Sequence, residues 1–142
     1  MTTMGRPIGV TILAILEIIE GLVFLGYAAL LSALSATALT SIPFVGPIIA
    51  AIFGAVAIVL IILGIAGFVL AYGLWGGKGW AWTLSIIFAV IGILVGLVTL
   101  PNGIVIIIID ALIIYYLMQS QVKAFFGKAP QLAPPPPPPT AQ

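Results

Sequence analysis

IIAAIFGAVAIVLIILGIAGFVLAY, residues Ile48 to Tyr72, runs for 25 residues with no charged side chain and no polar group except the phenol at its end. As an α-helix rising about 1.5 Å per residue it would be roughly 37 Å long, enough to cross about 30 Å of bilayer hydrocarbon. It has no polar face to offer water, so its surface must meet lipid or other apolar helices. Gly54, Gly64 and Gly67 fall within it; glycine is common in helices of this kind.

The rest of the chain agrees with this stretch. Of its 142 residues 63% are apolar and 5% charged, whereas about a quarter are charged in soluble domains. Upstream, Ile8 to Leu31 forms a second apolar run without Lys or Arg. The intervening Ser32 to Pro47 is rich in Ser, Thr and Ala and closes with Pro43, Gly46 and Pro47, so a turn at the far membrane face is expected. Downstream, Gly73 to Gly79 reads as a glycine-rich turn marked by Lys78, Trp80 to Leu100 as a third span, Pro101-Asn102-Gly103 as a tight turn, and Ile104 to Met118 as a fourth span. The expected fold is an all-α membrane protein, an up-and-down bundle of four transmembrane helices filling residues 1–126. The proline-rich tail, 127–142, has no means of burying apolar surface.

Charge placement sets the expected orientation. Arg6, Lys78, Lys123 and Lys128 all fall on one side when there are four spans, and the two outer turns carry no basic residue. Basic residues gather in cytoplasmic loops, so both termini are expected in the cytoplasm and the chain in the cell membrane. Tyr72, Trp75, Trp80 and Trp82 cluster at the inner turn, as an interfacial aromatic belt would. A cleavable signal peptide is the competing reading of the first span, with Arg6 as its basic flank and Ala36-Thr37-Ala38 as a cleavage site. Against it, the run far exceeds the roughly 7–15 apolar residues of such a peptide and carries two glutamates.

Three segments resemble a group of small four-span integral membrane proteins of unknown function from archaea and bacteria. They are Arg6-Pro7-Ile8-Gly9-Val10-Thr11-Ile12-Leu13, the turn Tyr72-Gly73-Leu74-Trp75-Gly76-Gly77-Lys78-Gly79-Trp80-Ala81-Trp82, and Tyr115-Tyr116-Leu117 with Val122-Lys123-Ala124-Phe125-Phe126-Gly127. The resemblance implies the four-span topology and no activity.

Glu17, Glu20 and Asp110, the three acids of the chain, all fall inside expected spans. There a charge costs at least about 2.5–3.5 kcal/mol, and no basic residue accompanies them. An uncharged carboxyl donating a hydrogen bond is the expected form for at least one of them. Counted along the helices from the inner face, Glu17 lies roughly 14 Å deep, Glu20 roughly 18 Å and Asp110 roughly 20 Å, so Glu20 and Asp110 are nearly level. Glu17 and Glu20 share a helix face with Phe24 and Tyr27. These acids could form a proton-titratable or cation-coordinating site, or serve only as interhelical hydrogen-bonding groups.

Gly67 with Ala71, and Gly92 with Gly96, are small-residue pairs four apart that allow close helix packing or self-association with another subunit. The six prolines Pro134 to Pro139 could dock a proline-recognition domain or act as a spacer.

Several chemistries are excluded by residue type. With no Cys and no His, disulfides, thiolate nucleophiles, imidazole-based catalysis and the commonest zinc and haem ligands are ruled out. Gly73 to Gly79 lacks the spacing of a phosphate-binding loop, and four basic residues are too few for a nucleic-acid surface. No catalytic residue and no cofactor is expected. The partners are the lipid bilayer and other membrane subunits, and the expected role is a non-enzymatic accessory or scaffold subunit acting by helix packing. The alternative is a small proton- or cation-coupled transporter or channel using the intramembrane carboxyls.

Overall fold

A computed structural model of the chain describes residues 5–128. Among the described residues all regular structure is helical: α1 Ile8–Ser41, α2 Gly46–Trp75, α3 Gly79–Val98, α4 Ile104–Leu117 and the short α5 Ser120–Phe125. The first three are each long and apolar enough to cross a membrane, and α4 is a shorter apolar helix of 14 residues. The run Pro134 to Pro139 lies outside the described residues.

α1 continues to Ser41, ten residues beyond the expected end of the first span at Leu31. Ser32 to Ser41 is therefore helix and not part of the turn. Hydroxyls turn back onto the helix carbonyls: Ser32 Oγ donates to Ala28 O at 2.8 Å, Thr37 Oγ1 to Leu34 O at 2.9 Å and Thr40 Oγ1 to Ala36 O at 3.3 Å. Polar side chains that satisfy themselves in this way do not end a helix. The reversal is left to residues 42–45, with Phe44 at φ 63°. Pro47 stands in the first turn of α2, where its missing N–H leaves no bond unmade.

At the opposite end α2 runs to Trp75, so Gly73, Leu74 and Trp75 are helical where the sequence suggested a turn. Leu74 is fully buried, and Gly73 lies so close to Trp80 and Ala81 that a Cβ there would meet both at 2.5 to 2.6 Å. The turn shrinks to residues 76–78, with Gly77 at φ 63°. α3 begins one residue before Trp80 and ends two before Leu100, and α4 ends at Leu117.

α1 and α2 form a long antiparallel pair along a seam of small residues spaced by seven. Ala14, Gly21, Ala28 and Ser35 lie on α1, and Ala50, Ala57, Gly64 and Ala71 on α2. A Cβ on Gly21 would come within 2.9 Å of Gly64 O, and one on Gly64 within 3.0 Å of Gly21 O. Ser35 Oγ crosses to Ala50 O at 2.8 Å. The same register puts Ala28 beside Ala57 and Ala14 beside Ala71, all buried. A seven-residue repeat keeps one stripe of each helix on its partner, and small residues on that stripe let the backbones touch.

α3 and α4 form a second, shorter antiparallel pair. Gly96 abuts Gly103 backbone to backbone, and Trp82 Nε1 donates to Leu117 O at 2.9 Å. The two pairs join at the end where α1 and α3 begin and α2 and α4 finish. Val10, Ala14, Leu70, Leu74, Ala81, Leu117, Val122 and Phe126 form one buried cluster there. α5 closes this end from below through Val122, with Phe125 against Gly77 and with Phe126, just past its last turn, against Gly79.

Candidate functional site

α1 and α4 come together at the joined end, where the Tyr116 ring occupies the space a Cβ on Gly9 would need. Above that contact a groove of about 260 Å³ opens between them, walled by Gly9, Leu13, Leu16, Ile109, Leu112 and Ile113 among others. Its lining is apolar throughout. Glu20 is the next position along the same stripe of α1 (Gly9, Leu13, Leu16, Glu20), and Asp110 adjoins Ile109 and Ile113 on α4. Neither acid lines the groove: Glu20 lies one step beyond Leu16 along α1, and Asp110 lies level with the groove but turned off it.

Each acid has a different setting. Glu17 is half-buried on the side of α1 facing α2, with its backbone carbonyl 3.1 Å from where a Cβ on Gly67 would lie. Glu20 is exposed. Asp110 is half-buried, and its carboxylate lies directly over Gly92 of α3, filling the place a Cβ would take. Asp110 therefore leans toward α3, a direction that depth along the helix axis could not supply.

Among the described residues no carboxyl of the three takes part in a side-chain hydrogen bond, and no group of acids is arranged to hold a metal ion. The three acids are a loose set on α1 and α4. Ser85, on the buried side of α3, is 5% exposed, and its Oγ has no hydrogen-bond partner.

The small residues singled out in the sequence lie at helix contacts within the chain. Gly67 meets Glu17 O and Gly21, Ala71 is buried in the α1–α2 seam, Gly92 meets Asp110, and Gly96 meets Gly103 and Ile107. Of the seam, sequence reading singled out only Ala71 for packing, although its signal, a small residue at every seventh position from Ala14 to Ser35 and from Ala50 to Ala71, is present. Tyr72, Trp75 and Trp80 are exposed at the joined end, while Trp82 is half-buried by its bond to Leu117.

No protein-family model, no curated protein and no solved structure matches the chain.

Proposed function

We propose that the chain is a four-span protein of the cell membrane with both termini in the cytoplasm, working as a non-enzymatic accessory or scaffold subunit that binds other membrane subunits by helix packing. The observation that carries this reading is the mismatch between the two helix pairs. α1 and α2 have 34 and 30 residues, against 20 and 14 for α3 and α4. The groove between α2 and α3 lies along the second half of α2, from Ile62 to Leu70, while the first half of α2 is tied to α1 through Ala50. Ile48, Ile52 and Ile58 there are 57 to 61% exposed, an apolar surface that a partner helix can cover. Gentle affinity purification from native membranes tests the role: stoichiometric membrane partners are expected, and a chain isolated alone would overturn it. Reporters after Lys128 and at Gly76-Gly77 should read cytoplasm and one at Thr40 the outside; a cytoplasmic signal at Thr40 would refute four spans.

A second reading, proton- or cation-coupled transport, is favoured by the three acids, Glu17 and Glu20 on α1 and Asp110 on α4, which have no basic residue beside them in those helices. Glu20→Gln and Asp110→Asn keep the shape and hydrogen-bonding capacity. Under the packing role both variants fold and bind partners normally; under the transport role both fold and lose pH-dependent flux in liposomes.

A further inference from the structure

All four described basic residues, spread along the sequence from Arg6 to Lys128, are brought by the fold to the joined end of the bundle. The Arg6 guanidinium carbon lies over the Trp75 ring, 3.9 Å from its centre, and Arg6 Nε is buried without a hydrogen-bond partner. Lys128 reaches across to the start of α3, with its ammonium 5.7 Å from the Trp82 ring centre and 3.7 Å from where a Cβ on Gly79 would be. Lys78 is the residue that precedes α3, and it caps the helix with no side-chain bond. Lys123 stands in the last turn of α5, whose Val122 is fully buried. Val122 and Phe126 belong to the buried core cluster, which places Lys123 and Lys128 at this end.

No acid offsets these charges, since the only three in the chain lie farther along α1 and α4. The Lys128 ammonium also sits beside the N-terminal turn of α3, where the helix dipole is itself positive, an arrangement that repels unless an anion joins it. Trp75 and Trp80 are exposed at this end, and tryptophans of membrane proteins gather at the depth of the lipid headgroups.

We infer that the joined end is a binding surface for the phosphate groups of anionic lipids, with Arg6, Lys78, Lys123 and Lys128 as its cations. The inference rests on the reading of the chain as a multi-pass membrane protein. A cation near a charged leaflet strengthens binding by about fivefold, so four of them give a marked preference for anionic over zwitterionic lipid.

The full-length chain, purified in mild detergent and equilibrated with equimolar phosphatidylcholine and phosphatidylglycerol, should retain about tenfold more of the anionic lipid at low salt. Raising the salt to about 0.5 M should bring the ratio close to one, because screening then acts within a few ångströms. Arg6→Gln combined with Lys128→Gln should do the same at low salt, and Lys78→Gln with Lys123→Gln is the second pair to use if the first fails to fold. Equal retention of the two lipids by the native chain, or a ratio indifferent to salt, overturns the inference. So does complete displacement of the anionic lipid by millimolar inorganic phosphate, which would make free phosphate the ligand. Flotation with pure phosphatidylcholine vesicles reports insertion separately: a chain that does not float refutes the membrane reading, and one that floats without lipid preference refutes only the headgroup surface.

Discussion

The two helix pairs solve the same packing problem with different means. In α1–α2 the contact is a seam of Ala, Gly and Ser repeated at sevens, which brings the backbones together over most of two long helices. In α3–α4 the close approach is confined to Gly92, Gly96 and Gly103, and a carboxylate is laid into it at Asp110. A periodic small-residue stripe holds a long pair with nothing polar beyond the Ser35 bond. The short pair relies on a few glycines and on Trp82 reaching Leu117 at its base. In lipid, where burying apolar surface against another helix brings little gain, close fit is the main source of attraction, and the length of the seam limits how much of it a pair can have.

The largest expected effect lies in the long seam. Gly64→Leu would drive a branched side chain into Gly21 O and should cost about 3 kcal/mol or more. Gly26→Leu, at a glycine with no neighbouring atom within 4 Å of a Cβ, should be close to neutral. Melting temperatures in one detergent compare the two, and equal losses would show that the seam is not where α1 and α2 hold.

In the short pair the obstruction is a side chain that can rotate, so Gly92→Ala should cost less, about 1–2 kcal/mol. The same change in an Asp110→Ala background should cost little. A double-mutant cycle with a coupling below about 0.5 kcal/mol would mean that Asp110 does not lie on Gly92.

Removing the indole donor at the base of that pair with Trp82→Phe leaves Leu117 O without its partner and should cost about 1 kcal/mol. If α3–α4 depends on this bond more than α1–α2 does on its own, the loss should exceed that of Ser35→Ala. The latter removes the crossing to Ala50 and should be worth about 0.6 kcal/mol. Urea or thermal unfolding of both variants ranks them, and a reversed order would undo the contrast between a seam held by shape and a pair held by a bond.

Residue type and order alone determined that the chain belongs in lipid: long uncharged runs cannot be covered with polar surface, whatever they pack against. They also marked the chain reversals by their prolines and glycines, which act locally, although the first was expected to begin at Ser32 and begins after Ser41. Composition misled at Ser32 to Ser41, where hydroxyls that look loop-forming bond back to helix carbonyls. It misled again at Gly73 to Trp75, where packing against Trp80 and Ala81 keeps a glycine helical. The sequence offered the three acids as a candidate site by their place in apolar runs, since depth can be counted along a helix. Their direction was not legible. That Asp110 turns onto Gly92, that Glu17 sits against α2, and that Arg6, Lys78, Lys123 and Lys128 share one end all depend on helix rotation and pairing. Contacts between residues far apart in the chain fix both, and only the tertiary structure decides them.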